Sequence, residues 1–241
     1  MHRFFIDPES IRDGRVALSD EDAAHALRVL RLAVGDEVRA CDGRDTEYPA
    51  WIDEAGKKSV TLRLGEGYTL GSEPRVKVTL YQGMPKAGKL ETVVQKGTEI
   101  GACAFVPFYC ERSVVKPGKD KGERYERVAY EAAKQSHRGA VPRVEAPILF
   151  KELCARLPKH QLVLAAWEEE KALSVREALK GTDAADIALI VGPEGGLSPE
   201  ETAAMAAAGA RVITLGPRIL RTETAGAVLT ALVLYELGDM Q

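Results

Sequence analysis

The sequence has few of the residues that build metal sites and disulfide frameworks. It contains four cysteines and four histidines in 241 residues, and none of them forms a C-x-x-C or an H-x-x-x-H pair. A zinc site needs such a cluster, and disulfide frameworks are typical of small secreted domains. We therefore expect no bound metal ion, and we expect all four cysteines to be reduced and packed in cores.

Long apolar runs are also missing. The longest stretches, such as 225–234, contain Gly or Thr and fall well short of the roughly 20 residues that a membrane span requires. Near its start the chain has only the apolar run Phe4 to Ile6, which is too short for the core of a signal peptide. We expect a cytoplasmic protein that does not enter a membrane.

An excess of basic charge is absent overall, because the formal net charge is −3. The charge is unevenly placed, however. Between Arg112 and Arg143 nine Lys and Arg residues stand against four acidic ones, a local balance of +5 (9 − 4). A local basic face on an acidic protein suits a specific phosphate-bearing partner, although an ordinary solvated face gives the same pattern.

The spacing of strand and turn signals predicts a small domain at residues 1–72. Short strands surround one helix, whose start is marked by Ser19 followed by three acidic residues. Strands at such close spacing predict a small β-barrel. The predicted strands are 4–6, 16–18, 37–41, 48–53 and 60–64, and the helix continues to about residue 30. Segment 65–74, with three glycines and a proline, is a predicted linker.

From residue 73 onward strands alternate with helices, which predicts an α/β domain with a parallel sheet covered on both faces. The predicted strands are 76–81, 103–109, 161–167, 187–191 and 211–215, and the predicted helices are 89–100, 123–137, 174–180, 199–208 and 223–237. Ligands bind beyond the carboxyl ends of such strands. That rule selects the loops after Val191 and Leu215, which we expect at the tips of neighbouring strands.

The loop after Val191 is rich in glycine and opens a helix. Its sequence GPEGG at 192–196 permits close backbone approach and positive φ, while Ser198 and Pro199 are typical of a helix start. It lacks both common phosphate-binding patterns, and Glu194 would repel a phosphate. A neutral or cationic ligand fits better, and a turn without a ligand is the alternative.

The loop after Leu215 places charged residues around an apolar pair. Two arginines and a glutamate surround Ile219 and Leu220, and either Thr222 or Thr224 is predicted to cap the following helix. Burying Arg or Glu without partners is costly, so these charged residues are not expected in a loop with a purely structural role. It suits a ligand with an aromatic base and a charged tail.

Taken together, GPEGG at 192–196 and LGPRILRTETA at 215–225 resemble the signature of SPOUT methyltransferases. Their order and spacing are similar to those of the family that makes 3-methyluridine in small-subunit ribosomal RNA. The resemblance covers nearly the whole chain. HALRVLR at 25–31 resembles the PUA-like domain of that family, and KLETVVQKGTEIG at 89–101, ERS at 111–113 and EAAKQSHR at 131–138 resemble its later segments.

The resemblance implies a fold class and an activity. It implies a SPOUT domain at 73–241, with a parallel sheet and a deep trefoil knot, and a PUA-like β-barrel at 1–72 that binds RNA. The implied reaction is methylation of uridine N3 in small-subunit (16S) ribosomal RNA with S-adenosyl-L-methionine as the cofactor. The implied assembly is a homodimer with each active site near the subunit interface.

The same resemblance assigns site residues. Cofactor contacts are expected at Gly192, Gly196, Leu215, Gly216, Ile219, Leu220 and Thr224. Uridine N3 carries a proton, so the reaction needs a proton acceptor and stabilisation of negative charge on the uracil oxygens. Arg221 is the predicted charge-stabilising residue, and Glu223 is either the proton acceptor or the partner of an arginine. RNA contacts are expected at Arg3, Arg28, Arg31, Arg112, Lys134, Gln135 and Arg138.

Other functions remain open at this stage. One is a different SPOUT activity, on a ribose 2′-oxygen or on a transfer RNA base. A second is an RNA-binding ribosome-assembly factor without catalysis, which the intact loops disfavour. A third is a nucleotide-binding phosphotransferase, which the missing Walker lysine disfavours.

Overall fold

The computed structural model describes residues 1–86, 88–116, 118 and 122–240. The chain divides into two compact units. The first contains Met1–Glu73 together with Ala133–Val141, and the second contains Pro74–Ala132 together with Pro142–Gln241. The short segment Ala133–Val141 thus belongs to the first unit, whereas the predicted boundary placed all residues after 72 in the second domain.

The first unit is built on one sheet. Its strands are β1 (Arg3–Phe5), β2 (Arg15–Ala17), β3 (Glu37–Cys41), β4 (Thr46–Ala55), β5 (Val60–Leu64) and β6 (Tyr68–Thr69). The order is β1-β3-β4-β5-β2, with β6 paired to β4. All five predicted strands are present, while β6 lies inside the segment predicted to be a linker.

The predicted helix of the first unit is confirmed in part. Helix α1 (Asp20–Ala24) begins at Ser19, whose hydroxyl accepts a hydrogen bond from the backbone of Asp22. The helix then widens into a π-helical turn, His25–Val29. Its apolar side packs on the strands, where Phe4, Val38 and Leu62 are fully buried.

The second unit contains a seven-stranded sheet whose pairings are all parallel. Its strands are β7 (Lys77–Gly83), β8 (Ala104–Tyr109), β9 (Arg143–Val144), β10 (Ile148–Leu149), β11 (Leu162–Ala166), β12 (Asp186–Val191) and β13 (Arg211–Ile213). The order is β10-β8-β7-β12-β11-β13, with β9 beside β8. The predicted parallel sheet is confirmed. The loops after β12 and β13 do not follow neighbouring strands, however, because β11 lies between them.

Helices cover both faces of this sheet. They are α2 (Lys89–Ile100), α3 (Gly122–Gln135), α4 (Phe150–Arg156), α5 (Val175–Leu179), α6 (Pro199–Ala207) and α7 (Thr222–Glu236). Leu153 of α4 and Met205 of α6 join the core on one face. On the other face α7 lies so close to β7 that a Cβ on Gly226 would stand 3.1 Å from Leu80.

The region between α3 and β11 contains structure that the hydrophobic pattern did not predict. It holds β9, β10, α4 and a 3-10 turn, Leu157–Lys159. The two strands have two residues each, too few to show a period. Among the described residues, no helix has the length and apolar character needed to cross a membrane.

Candidate functional site

A cavity of about 470 Å³ lies at the carboxyl ends of three neighbouring strands, β12, β11 and β13. Its wall comes from segments 166–168, 191–196 and 214–222, which follow these strands, with Lys89 of α2 and Ala225 of α7. Cavities of this size and position are typical of small-molecule sites in parallel sheets. The two sequence motifs therefore meet at one cavity, with the loop of β11 between them.

The GPEGG loop takes its shape from a defined helix start and close packing. Ser198 and Glu201 form a reciprocal capping box, with Pro199 at the first position of α6, as the sequence predicted. Gly196 has φ +71°, and a Cβ there would stand 2.1 Å from the Glu168 carboxylate. Gly83 at the end of β7 leaves room for Pro193, since a Cβ would stand 2.4 Å from that ring.

The start of α7 differs from the prediction, since neither Thr222 nor Thr224 caps the helix. Arg221 occupies the cap position and makes no side-chain capping bond. The Thr222 hydroxyl instead donates to the Gly192 carbonyl at 2.6 Å, and it accepts a hydrogen bond from Gln82 Nε2 at 2.8 Å. The threonine therefore connects the two motif loops instead of capping the start of α7.

Most of the predicted cofactor positions come together at the cavity. The six that line it are Gly192, Gly196, Leu215, Gly216, Ile219 and Leu220. The Ile219 side chain is 87% exposed, so it forms an open apolar edge. Thr224 is exposed on the first turn of α7 and is not part of the lining.

The two predicted catalytic residues have different surroundings. Arg221 lines the cavity with an exposed side chain. Glu223 is not in the lining, and one of its carboxylate oxygens lies 3.2 Å from Lys89 Nζ. Burial alone would raise the pKa of the Glu223 carboxyl, but its own backbone N–H, Lys89 and Arg221 together hold that pKa below its ordinary value. A carboxylate with a lowered pKa is a weaker base, which favours the alternative role for Glu223 as the partner of a cation.

Lys89 also contacts the first motif. Its Nζ atom lies 3.1 Å from a carboxylate oxygen of Glu194, which further accepts a hydrogen bond from the Lys86 backbone. Burial would raise the pKa of Glu194, yet backbone N–H groups and Lys89 hold that pKa below its ordinary value. One ammonium group therefore faces a carboxylate from each motif.

The sequence did not select Lys89, Trp167, Glu168 and Lys171, which also line the cavity. Trp167 is half-buried, donates to the Leu197 carbonyl at 3.3 Å and also faces the cavity. The available signal was the position of Trp167 at the carboxyl end of a predicted strand, since every such strand end in a parallel sheet is a candidate for a ligand site.

The predicted RNA contacts fall into two groups. Arg28, Arg31, Arg112 and Gln135 are exposed. Three others are engaged inside the first unit: Arg3 is 6% exposed and lies 2.8 Å from Glu47, Lys134 lies 3.0 Å from Asp22, and Arg138 is 4% exposed beside Glu73. These three side chains already have ionic partners, so they are less available to an RNA phosphate than the four exposed residues.

Several basic side chains of the stretch Arg112–Arg143 are paired with carboxylates in the structure. Besides Lys134 and Arg138, Arg124 is paired, lying 2.8 Å from Glu91. Lys119 and Lys121 lie outside the described residues. Arg112 remains exposed beside the GPEGG loop, with one guanidinium nitrogen 3.4 Å from the Gly195 carbonyl.

Comparison with known proteins agrees with this geometry. The model of an RNA methyltransferase domain matches residues 72–234, and that of an RNA methyltransferase PUA domain matches residues 18–65. Fold and site therefore define an RNA methyltransferase domain preceded by a PUA domain.

Individual relatives narrow the class. Ribosomal RNA small subunit methyltransferase E of Bacillus subtilis is 34% identical over 98% of this chain and 97% of its own length. That of Mycobacterium tuberculosis is 33% identical over 93% of this chain and 88% of its own. The crystal structure of the Neisseria gonorrhoeae protein of that name, bound to S-adenosyl methionine, gives a TM-score of 0.87 at 28% identity over 98% and 97% of the two chains. The chain belongs to the ribosomal RNA small subunit methyltransferase E family, which confirms the resemblance found in the sequence.

Proposed function

We propose that this chain transfers a methyl group from S-adenosyl-L-methionine to N3 of a uridine in small-subunit ribosomal RNA. The observation that carries the proposal is the meeting of both motifs at one cavity, with Arg221 in its wall. The crystal structure of the Neisseria gonorrhoeae relative with bound S-adenosyl methionine supports the choice of cofactor.

The residues around the cavity suit this cofactor. Its volume of about 470 Å³ lies in the range of small-ligand sites. Ile219 and Leu220 offer apolar contact to an adenine ring, and the backbone of Gly192 and Gly216 offers hydrogen-bonding groups close to the ligand. Two carboxylates near the cavity, Glu168 and Glu194, favour a cationic ligand.

The chemistry assigned to this chain concerns the uracil. When bound, S-adenosyl-L-methionine supplies a methyl group that its sulfonium charge already activates. Methylation at N3 requires loss of the N3 proton, which leaves negative charge on the uracil oxygens. We assign Arg221 to donate hydrogen bonds to that charge, because guanidinium stays protonated and two of its N–H groups can point the same way. We assign Glu223 to the ionic contact with Lys89 rather than to proton removal.

Two domain-level features complete the proposal. The first unit, 1–73 with 133–141, is the PUA-like domain that contacts RNA, and the second unit, 74–132 with 142–241, is the SPOUT domain, whose C-terminal segment passes through a deep trefoil knot. Family membership supports both, and the contact of Thr222 with Gly192 fits a chain that returns past its own earlier loop. Phosphates would contact Arg28, Arg31 and Gln135 on the first unit and, independently, Arg112 on the second, which positions the substrate without reading its sequence.

We further propose a cytoplasmic homodimer. Helix α7 is apolar on all sides, and the side away from the sheet exposes Leu232 at 37% and Tyr235 at 52%, with Val228 half-buried beside them. Apolar side chains on one exposed helix face favour coverage by a protein surface. A second copy of this chain is the occupant that the SPOUT class implies, and α7 starts at the cavity, so such a dimer brings each site close to the interface.

The experiment that tests the function is analysis of the modified nucleoside. Small ribosomal subunits that lack the modification are incubated with the protein and methyl-labelled S-adenosyl-L-methionine, and the RNA is digested for mass spectrometry. We expect the label in 3-methyluridine. A label on a ribose oxygen, or transfer to transfer RNA instead, would replace the N3 assignment by another SPOUT activity. No transfer to any RNA would indicate a binding factor.

A further inference from the structure

Lys89 holds an unusual position for a residue that neither motif contains. It is the first residue of α2, and its ammonium group lies 3.1 Å from Glu194 and 3.2 Å from Glu223. Glu194 belongs to the GPEGG loop, and Glu223 to the first turn of α7, two residues after Arg221. Three separate parts of the chain therefore meet at one cation.

We propose that Lys89 is a positioning residue for methyl transfer, whose ammonium group joins the two motif segments through Glu194 and Glu223 and so keeps Arg221 at the cavity wall. This inference rests on the proposed function. It extends that function by assigning a task to a residue that neither motif contains.

Electrostatics explains why one cation is needed here. Both carboxylate oxygens lie within 3.2 Å of the same nitrogen, so they stand at most 6.3 Å apart (3.1 + 3.2). Like charges at that distance repel, and the side chains are only 20% and 18% exposed, so water screens them incompletely. Lys89 supplies the opposite charge that allows both glutamates to remain ionised.

The contact with Glu223 is ionic in character. Glu223 Oε2 is buried and has no hydrogen-bond partner among the described residues, while Lys89 Nζ lies 3.2 Å away. The contacts of Lys89 with Glu194 and Glu223 raise the pKa of its own ammonium group. Arg221 adds positive charge beside Glu223, and the neighbouring Glu91 on α2 is occupied by Arg124. Removing Lys89 would therefore leave Glu223 with Arg221 as its cation, drawing the guanidinium away from the substrate.

A second connection keeps the loops folded when Lys89 is changed. Gln82 is fully buried and binds Thr222, which in turn binds Gly192. This neutral connection lies beneath the ionic one and does not involve Lys89. We therefore expect Lys89 variants to fold, with the defect confined to the placement of charged groups.

The test compares three variants with the wild type. Lys89→Met removes the charge at similar length, and Lys89→Arg keeps it. The matched control is Arg176→Met, which breaks another ion pair on α7, the 2.9 Å contact with Glu236 at the far end of that helix. Three properties are measured for each variant. They are the affinity for S-adenosylmethionine by calorimetry, kcat and KM with small ribosomal subunits, and the midpoint of thermal unfolding. We expect Lys89→Met to lose roughly 10- to 100-fold in kcat, as displaced catalytic groups do, with an unfolding midpoint only slightly below that of the wild type. Lys89→Arg and Arg176→Met should retain most of kcat.

A double variant separates positioning from general damage. Glu223→Gln removes the negative charge that would draw Arg221 away, so Lys89→Met/Glu223→Gln should recover part of the kcat that Lys89→Met loses. Wild-type kcat in Lys89→Met, or no recovery in the double variant, would overturn the inference. If Lys89→Met does not fold, Lys89→Gln carries the same comparison. If the wild type transfers no methyl group, the proposed function is wrong as well. If the wild type and Lys89→Met are equally active, only the proposed role of Lys89 is wrong.

Discussion

The side-chain amide of Gln82 donates to the hydroxyl of Thr222 at 2.8 Å, although 140 residues separate them in the chain. Gln82 is fully buried at the end of β7, and the Thr222 hydroxyl in turn donates a hydrogen bond to the Gly192 carbonyl. This buried path fixes the start of α7 against the GPEGG loop. The geometry of the cavity therefore depends on a residue that lies outside both motifs.

Thr222→Val should destabilise the second unit. Valine keeps the shape of threonine but removes the hydroxyl, so Gln82 Nε2 loses its 2.8 Å acceptor and the Gly192 carbonyl loses its best donor. We expect a loss of about 1–3 kcal/mol in the free energy of unfolding, measured with denaturant. Thr222→Ser keeps the hydroxyl and serves as the control. Equal stability of the valine variant and the wild type would contradict the structural role of this connection.

Arg221→Ala should stop methyl transfer without preventing cofactor binding. Removing a donor that stabilises charge in the transition state commonly costs about 10²- to 10³-fold in kcat. Arg221→Lys keeps the charge but loses the planar pair of donors, so we expect it to be impaired as well. Calorimetry measures the affinity for S-adenosylmethionine and the kinetic assay measures kcat, so together they distinguish a catalytic defect from a loss of cofactor binding. Normal turnover in Arg221→Ala would remove this residue from the mechanism.

The ion cluster of Lys89 predicts a definite dependence on pH. Glu194 and Glu223 have pKa values below their ordinary 4.5 in the folded protein, so their contribution to stability is present above pH 4.5 and is lost as pH falls through the lowered values. The pKa of Lys89 is raised above 10.5, so its contribution is lost only when pH rises through that raised value. The stability difference between the wild type and Lys89→Met should therefore be constant near neutral pH and shrink on acidification below 4.5. A difference that grows on acidification would show that the glutamates are not held ionised by Lys89.

Leu232→Glu should convert a dimer into monomers. A charge on the exposed apolar side of α7 opposes burial against a second copy, because an ion without a partner is costly to desolvate. Light scattering should give twice the 26.1 kDa chain mass for the wild type and the single mass for the variant. Ala203→Glu places the same charge on an exposed position of α6 and should leave the dimer intact. A monomeric wild type would contradict the proposed assembly.

Arg28→Ala should weaken RNA binding and reduce its dependence on salt. Loss of one phosphate contact lowers the slope of log affinity against log salt by about 1, with similar effects on RNAs of different sequence. Arg44→Ala is the matched control, because Arg44 is also an exposed arginine of the first unit, at 67%. An unchanged slope in Arg28→Ala would remove this arginine from the RNA surface.

Most strands and helices of the second unit could be predicted from the sequence, because these strands are apolar runs and these helices begin and end at strong signals. Ser198 and Pro199 marked the start of α6 correctly, and Gly101 the end of α2. Strand order was not accessible in the same way. Nothing in a local pattern indicates that β11 pairs with both β12 and β13, so the lining residues Trp167 and Glu168 were missed.

Site residues whose contacts come from distant parts of the chain were also beyond local patterns. Lys89 and Gln82 lie about 100 or more residues from their partners in the motifs. The ion pairs of Arg3 and Arg138 could not be predicted either, since a basic residue in a sequence gives no sign of whether a carboxylate lies beside it in the fold. The cap of α7 was wrong for a related reason, because the Thr222 hydroxyl finds a tertiary partner instead.

The central claim is that the two motif loops and the loop of β11 form one cofactor site. Its most direct measurement is a crystal structure of this protein grown with S-adenosylmethionine. We expect the ligand in the cavity lined by Gly192, Gly216 and Leu220, with its methyl group on the side of Arg221. A well-ordered ligand bound anywhere else, with this cavity vacant, would contradict it.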